Sequence, residues 1–517
     1  MKLFNKSLFL STCAAALLAT LPVDSHALQT QPKIETTHIK HVLLISVDGL
    51  HALDLLNFSA AHPHSAMAAL ARSGIEYTQA HTVGPADSFP GLMALITGGT
   101  PAVTGVYYDV SYDRRLSSPG SNCSQPGALV IYDESIDAPG ITDGKPLLKE
   151  SLLPLDAKSC KPVYPHSYLR VNTVFEVVRE AGGHTAWIDK HPVYEIANGP
   201  SGRGVEDLYT PEIGANPDAG EGHYSDRITA SIAGTERYDL SKVNALIDQI
   251  HGFRHDGKTA AAVPSLFGLN LQTVSVAQKL AGYQDGQGHP VPQLESALVY
   301  SDTLIGKIVA ALRERKLLDS TLLVVTAKHG NGPIDPRVLR HVDEEVLSRT
   351  IEQAAPGALA QIAPDHGVLI WLRDQSKTAQ VAQALLHRSD RLGIGSVMYG
   401  ASLRLQFPSP LKDARTPDLI VMPQQGVIYA KAGDMKKAEH GGFSDDDTHV
   451  ALLISNPALQ HIGELNRTPV FTTQVAPTML ASLGLAPMML EAVARQGTAV
   501  LPGENWQAIA GKLPGSD

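Results

Sequence analysis

Residues 41–49 read HVLLISVDG, a continuous apolar run that ends in an acid and a glycine. An apolar run of this length, with β-branched residues in it, is typical of a strand that is buried on both faces of a parallel sheet. Asp48 then lies at the carboxyl end of the strand, where open α/β sheets bind their ligands. The run therefore predicts the class of the fold and the edge of the sheet that carries functional residues.

Similar runs recur along the chain and are separated by helical patterns. Further strands are predicted at 184–189, 265–271, 320–327, 417–422 and 449–456, and helices are predicted at 52–56, 65–73, 172–181, 241–251, 272–280, 294–315 and 472–483. Alternating strands and helices predict a mainly parallel sheet that is covered by helices on both faces. We therefore expect an α/β fold, a three-layer α/β/α sandwich.

The first 27 residues resemble an export signal. A charged start with Lys2 and Lys6 precedes an apolar stretch, and Ser25-His26-Ala27 offers small residues for cleavage. We therefore expect export to a periplasm or to the outside. No later segment approaches 18 apolar residues, so no transmembrane anchor is expected.

The rest of the chain, residues 28–517, is predicted to be one domain with insertions. Segments at about 110–165 and 200–262 are rich in loop-forming residues, and 337–410 has the pattern of a compact αβαβ insert. We expect these segments to form the rim and a cap over the ends of the strands. The core sheet is expected to resume at 417–422.

The net charge and the cysteine content limit the binding partners and the cellular compartments that we expect for this protein. The formal charge of −10 is spread over the chain, and no basic stripe with interleaved aromatic residues is present, which excludes duplex nucleic acid as a partner. Beyond residue 27 the only cysteines are Cys123 and Cys160. In an oxidising compartment they are plausible disulfide partners, and two unpaired thiols are the alternative.

Ser88 stands at the start of a helical pattern. Pro90 suits the first turn of a helix, and apolar residues follow at helical spacing, so Ser88 is placed at or near the N-cap. One interpretation is that Ser88 only caps the helix. The other is that its hydroxyl is a nucleophile, since the amides and dipole of a helix N-terminus stabilise an alkoxide and an anionic substrate.

Polar residues follow several of the predicted strands. Each is a weak signal alone, but their coincidence at corresponding ends of a parallel sheet favours a functional site. The set consists of Asp48, Ser88, Asp189, Asn270, Lys328, His329, His440 and the acidic run Asp445–Asp447.

Several motifs in this set resemble those of a known family. They are VLLISVDGL at 42–50, SFPG at 88–91, TG at 97–98, TGV at 104–106, VVTAKHG at 324–330, TPDLIV at 416–421, EHGG at 439–442 and HVALLIS at 449–455. The chain resembles the alkaline phosphatase superfamily, in its type I phosphodiesterase/nucleotide pyrophosphatase branch. The resemblance covers most of the mature chain, and the motifs occur in the order of the family.

The resemblance implies a mechanism and a set of ligands. A hydroxyl attacks phosphorus in line and forms a covalent phospho-enzyme, and two zinc ions lower the pKa of the hydroxyl and neutralise developing charge. By motif, Ser88 corresponds to the nucleophile and, with Asp48 and His329, to a ligand of the first metal. His440 corresponds to a ligand of the second metal.

Four positions depart from the family pattern. Lys328 replaces the aspartate that precedes His329, Asp109 replaces an asparagine that steadies the phosphoryl group, and Asn270 with Val274 stands where an Asp-x-x-x-His pair is expected. An amide and an aliphatic side chain are poor zinc ligands. We therefore expect at most one tightly held metal, with Asn270 as a remaining ligand and Lys328 supplying the charge of the second ion.

The metal that this pattern predicts is divalent. The resemblance implies zinc, with one or two ions per chain, and manganese, calcium and magnesium stay open. The acidic run Asp445–Asp447 beside His449 offers oxygen ligands that suit calcium or magnesium. A solvated loop is the alternative for that run.

The leading hypothesis is an exported, metal-dependent hydrolase of phosphodiesters, pyrophosphates or related small phosphate esters. A sulfatase or phosphonate-type hydrolase is an alternative in the same chemistry, although Leu92 stands where the sulfatase signature Ser/Cys-x-Pro-x-Arg has its arginine. A catalytically inactive binding protein is the alternative from another class. An esterase of the α/β-hydrolase type is excluded because Ser88 lacks the Gly-x-Ser-x-Gly elbow.

Overall fold

A mostly parallel sheet of eight strands lies at the centre of the protein. The computed structural model describes residues 38–132, 148–213 and 228–513, so the predicted export signal at 1–27 lies outside the described residues. All described residues belong to one unit, Thr37–Asp517. Among them, no helix is both long enough and apolar enough to cross a membrane.

The strands of the described residues are β1 His41–Val47, β2 Gly74–Tyr77, β3 Ala80–His81, β4 Val110–Asp113, β5 Leu116–Ser117, β6 Ala128–Ile131, β7 Leu155–Asp156, β8 Thr185–Ile188, β9 Asp207–Tyr209, β10 Leu266–Leu271, β11 Thr321–Thr326, β12 Arg340–Asp343, β13 Leu359–Pro364, β14 Val368–Leu372, β15 Ile394–Tyr399, β16 Leu419–Pro423, β17 Val427–Ala430, β18 Leu452–Ser455, β19 Glu464–Asn466 and β20 Val470–Phe471.

The α-helices of the described residues are α1 Ala52–Ala61, α2 Ala66–Arg72, α3 Ser88–Thr97, α4 Pro101–Thr104, α5 Pro165–Tyr168, α6 Val174–Glu180, α7 Ile232–Ile250, α8 Thr273–Leu280, α9 Pro292–Glu314, α10 Glu344–Ala354, α11 Thr378–Leu386, α12 Ser389–Leu392, α13 Gly400–Leu403, α14 Asp445–Thr448, α15 Val475–Ser482, α16 Glu491–Gln496 and α17 Trp506–Ile509.

The order of strands in the main sheet is β19-β2-β18-β11-β1-β10-β8-β9. Strand β18 runs antiparallel to both of its neighbours, and the other pairs are parallel. Side chains of β1 alternate between two buried clusters, because successive residues of a strand point to opposite faces. Val42 and Leu44 pack in the layer of α3, α6 and α15, whereas Leu43 and Ile45 pack in the layer of α1, α7 and α9. The predicted three-layer sandwich is confirmed.

A second sheet corrects one prediction. Strand β16 was expected in the main sheet, but it pairs antiparallel with β14 and β15 in a separate sheet of order β13-β14-β16-β15. Helices α10 and α11 contribute Leu347 and Val381 to the core beneath this sheet. An apolar run indicates that a strand is buried, but it does not indicate which sheet the strand belongs to. The sequence pattern alone could therefore not assign β16 to the second sheet.

Two helix starts lie close to their predicted positions. Asp87 caps α3 by accepting a hydrogen bond from the backbone of Phe89 at 3.0 Å, and Ser88, predicted at or near the N-cap, is the first residue of the helix. Helix α6, predicted from residue 172, begins at Val174 with Thr173 as its N-cap. Sequence patterns locate a helix start only to within one or two residues.

Cys123 and Cys160 form a disulfide, one of the two alternatives that the sequence left open, with Cα atoms 5.8 Å apart. We expect the double variant Cys123→Ser/Cys160→Ser to lose up to about 4 kcal/mol of unfolding free energy, because a bond that closes a loop of this length restricts the unfolded chain. Thermal or urea unfolding of oxidised protein measures the loss. Equal stability of wild type and variant, with no free thiols in the wild type, would contradict the expectation.

Candidate active site

The ends of four neighbouring strands bring the predicted polar residues together. Asp48 follows β1, Asn270 lies within β10, and Lys328 and His329 follow β11. These strands lie side by side in the order β11-β1-β10-β8, and the acid Asp189 follows β8. The carboxyl edge of the parallel sheet therefore brings these side chains close together.

Helix α3 carries Ser88 to this edge. Its glycine, Gly91, lies so close to the chain after β11 that a Cβ atom built on it would be 2.2 Å from the carbonyl oxygen of Lys328. The hydroxyl of Thr82 donates to the same carbonyl at 2.8 Å. Close packing of α3 on the β11 end is what places Ser88 beside His329.

Asp48 is fully buried and is held by two ammonium groups. Its Oδ2 atom lies 3.5 Å from the Nζ atoms of both Lys190 and Lys328, and it accepts hydrogen bonds from the side-chain amides of Asn270 and Gln272. Burial alone would raise the pKa of Asp48, but Lys328 and Lys190 hold it well below its usual range. The carboxylate is therefore ionised.

Lys328 is completely buried and shared between two acids. Its Nζ atom lies 3.5 Å from Asp189 as well as from Asp48, and 4.6 Å from the ring centre of Tyr194. Burial lowers the pKa of Lys328, and the two acids oppose that shift. Lys328 thus compensates buried charge behind the nucleophile.

Ser88 has a partner on each side of its hydroxyl. The Oγ atom lies 3.1 Å from Nε2 of His329 and 3.1 Å from Nζ of Lys190. The other ring nitrogen of His329, Nδ1, lies 2.9 Å from the carbonyl oxygen of Gly330. Burial lowers the pKa of His329 to about 3, so its imidazole is neutral near neutral pH.

His440 joins the same group from a separate loop. Its ring centre is 4.0 Å from that of His329, with the rings edge to face. Its Nδ1 atom has no hydrogen-bond partner among the described residues and lies 3.9 Å from Asp87 and 3.7 Å from Glu439. Burial, together with His329, lowers the pKa of His440 well below its usual value.

A cavity of about 280 Å³ opens above Ser88. Its lining is mostly polar and comes from several segments, consisting of Asp87, Ser88, Phe89, Asp109, Tyr132, Lys190, His191, Tyr194, Lys279, Asp365, Lys436, Glu439 and His440. Asp109 is one of these lining residues. Two of the proposed insertions, 110–165 and 337–410, contribute Tyr132 and Asp365 to the wall.

Sequence reasoning missed two residues of the centre, Lys190 and Gln272. Lys190 follows Asp189 directly, and Gln272 follows the end of β10, so both occupy positions that the strand-end argument covers. A lysine carries no metal or nucleophile signal at such a position, and an amide side chain such as that of Gln272 is a poor zinc ligand. The Nζ atom of Lys190 also donates to Oε1 of Gln272 at 3.4 Å.

A divalent metal fits this set of side chains poorly. Lys190 already places an ammonium between Ser88, Asp48 and Gln272, and Lys328 offers a second positive charge where the resemblance expects a carboxylate. Three buried atoms here lack a hydrogen-bond partner in the described part of the chain, namely Oδ1 of Asp48, Oδ1 of Asn270 and Nδ1 of His440. They comprise one carboxylate, one amide and one imidazole, which does not match the ligands of a two-zinc centre.

A different cluster has the composition of a metal site. His81, Asp445 and His449 bring one ligand atom each within 4.8 Å of one another, and they are the only such group of three among residues 38–132, 148–213 and 228–513. Nε2 of His449 lies 2.9 Å from the carbonyl of Thr78, which orients its ring.

The acidic run near this cluster does not act as one set of ligands. Asp446 accepts from the backbone of Ile334 at 2.9 Å, and Asp447 accepts from the backbone of Ser444 and lies 2.9 Å from His366. Only Asp445 faces the two histidines. The run is therefore neither one shared metal site nor a wholly solvated loop.

Comparisons with known proteins agree with the fold. A family model described as "Type I phosphodiesterase / nucleotide pyrophosphatase" matches residues 42–445. No curated protein sequence matches the chain. Solved structures with this fold include two of murine ectonucleotide pyrophosphatase/phosphodiesterase 5, both 14% identical to the chain. An inactive variant in complex with AMP aligns with a TM-score of 0.54 over 87% of this chain and 96% of its own. The other has a TM-score of 0.53 over 91% and 99%.

The contact of Gly91 with Lys328 gives a test of the site's packing. We expect Gly91→Ala to cost about 2–3 kcal/mol of stability, because the added methyl group meets backbone that cannot rotate away. Gly306→Ala in α9 is the matched control, since its Cβ would meet nothing nearer than 3.6 Å and should stabilise the helix by about 0.5–1 kcal/mol. Urea unfolding measures both, and equal effects would contradict the packing argument.

Proposed function

The chain belongs to the type I phosphodiesterase/nucleotide pyrophosphatase family, and on this premise we propose that it is an exported hydrolase of phosphodiesters, pyrophosphates or related phosphate esters. The observation that carries the proposal is the position of Ser88. It opens on a polar cavity from the start of α3, with one neighbour that can take its proton and another that can donate to its oxygen. A hydroxyl in these surroundings is set up for attack on phosphorus.

The proposed reaction has two chemical steps. Ser88 attacks phosphorus in line and displaces the leaving oxygen, and water then hydrolyses the phospho-serine. The resemblance predicts that a divalent metal, zinc first, assists through Asp48, Ser88, His329, His440 and Asn270. Because the side chains present fit such an ion poorly, no step of our proposal for this chain requires one.

Export and substrate class have separate support. The disulfide and the charged, then apolar, N-terminus support export. A protein of the same fold was solved with AMP, so nucleotide esters belong among the substrates to be tested. Lys190, Lys279 and Lys436 line the cavity, where Lys190 pairs with Asp48 and the other two pair with Glu439.

The test is hydrolysis of bis-p-nitrophenyl phosphate, p-nitrophenyl phosphate and p-nitrophenyl sulfate by the full chain. We expect turnover of the diester and a loss of about 10³-fold or more in Ser88→Ala, because removal of a nucleophile leaves only residual catalysis. Ser296→Ala, an exposed serine on α9, is the matched control and should leave the rate unchanged.

Other outcomes separate the alternatives. Faster hydrolysis of the sulfate ester than of the phosphate esters would indicate that the protein is a sulfatase. Absence of turnover on all three esters and on nucleotide esters, with and without added metal, would contradict the hydrolase proposal and favour a binding protein.

A further inference from the structure

The side chain of Lys190 lies beside Ser88, where the resemblance expects a metal ion. The Nζ atom of Lys190 lies 3.1 Å from Oγ of Ser88 and 3.5 Å from Oδ2 of Asp48. A metal that joins a nucleophile to this carboxylate would lie between the same two oxygens. The chain's own ammonium therefore holds the position, and it lines the cavity, so it can also meet a bound substrate.

The hydrogen-bond partners of His329 determine which of its two ring nitrogens carries the proton. Nδ1 lies 2.9 Å from the carbonyl oxygen of Gly330, and a carbonyl can only accept, so Nδ1 carries the proton and donates it. In the neutral ring Nε2 then has a lone pair, and it lies 3.1 Å from Oγ of Ser88. The Ser88 hydroxyl can therefore donate to His329 while its oxygen accepts from Lys190.

The charged side chains around Asp48 form ion pairs with one another. Lys190 and Lys328 supply two positive charges to the centre, and Asp48 and Asp189 supply two negative charges. The formal charges of these four groups cancel. Lys328 is completely buried, so its ammonium is part of the folded core and not a mobile surface charge.

On these grounds, and resting on the proposed function, we propose that the centre works without a metal, as a Ser88–His329 dyad in which the Lys190 ammonium takes the place of the ion. His329 is then a general base and not a metal ligand. Lys190 is a catalytic residue that stabilises the developing charge on Oγ and on the phosphoryl oxygens. Asp48 is a positioning residue that holds Lys190, and Lys328 compensates the buried charge of Asp48 and Asp189.

The chemical steps balance without a co-reactant. The bond from Oγ of Ser88 to phosphorus forms while the bond to the leaving oxygen breaks, and the electron pair leaves with that oxygen, which takes a proton from solvent. The Ser88 proton passes to Nε2 of His329, which releases it to solvent because the pKa of His329 is low. Water then attacks phosphorus from the leaving side and releases a proton to solvent. Oγ leaves with the electron pair of the phospho-serine bond and regains a proton from solvent.

The decisive experiment treats the full chain with a chelator, removes the chelator, and measures metal content by mass spectrometry beside the diester rate. We expect less than about 0.1 metal ion per active centre and a rate within about twofold of the untreated protein. The same measurement on His449→Ala identifies any metal held by the separate His81–Asp445–His449 cluster. Loss of the rate on chelation, with recovery on adding zinc, manganese or calcium, would overturn the proposal.

A second readout does not depend on turnover. An activated organophosphate should label Ser88 in the chelated protein, as detected by mass spectrometry of the peptide. Lys190→Met and His329→Gln should each slow the labelling by about 10²-fold or more, as removal of a transition-state donor or a general base does. Lys307→Met, which removes an exposed charge on α9, is the matched control.

The two readouts distinguish failure of this inference from failure of the proposed function. Failure of chelated wild type to label Ser88, with labelling restored by a metal, would overturn the metal-free dyad and leave the hydrolase proposal standing. Ser88-specific labelling without turnover of any ester would support the dyad and contradict the hydrolase. Unfolding curves of each variant separate loss of chemistry from loss of fold, and Lys190→Arg should recover part of the labelling rate if the charge is what matters.

Discussion

The buried carboxylate of Asp48 is the constraint on which the rest of the site depends. A charge removed from water at the end of β1 costs several kcal/mol unless opposite charges and hydrogen bonds compensate it. Compensation comes from Lys190 after β8, Lys328 after β11 and the amides of Asn270 and Gln272 at the end of β10. The order β11-β1-β10-β8 therefore does more than form a core, because it gathers these groups around one oxygen atom.

Most of the main sheet was predicted from local patterns in the sequence. Apolar runs predicted β1, β8, β10 and β11, and the order of motifs brought Ser88, His329 and His440 into one site. Local patterns do not show which strands or side chains lie next to each other in the folded protein. Strand β16 was placed in the wrong sheet because burial does not name a partner. Lys190 and Gln272 were missed because a lysine and a glutamine gain their roles only from what lies opposite them.

The replacement of one acid by Lys328, together with the ammonium of Lys190, has an energetic consequence for metal binding. At an effective dielectric of 20, two unit charges about 4 Å apart interact by about 4 kcal/mol, so a divalent ion at that distance from one ammonium is opposed by about 8 kcal/mol. Lys190 and Lys328 both lie 3.5 Å from the carboxylate oxygen that such an ion would bind. An ion could bind there only by displacing Lys190 and by tolerating a buried lysine. One substituted residue would weaken a metal site, whereas two ammonium groups replace it.

The same charge count bears on the kind of ester that the cavity accepts. A centre whose two lysines are balanced by Asp48 and Asp189 has less surplus positive charge than one built around two divalent ions. Asp109, which lines the cavity where the resemblance expects a neutral asparagine, adds a further negative charge. A phosphodiester carries one negative charge and a phosphomonoester carries nearly two at neutral pH, so repulsion from Asp109 opposes the monoester more strongly. We therefore expect the diester to be preferred, and Asp109→Asn to narrow the difference between the two esters by raising monoester turnover more than diester turnover.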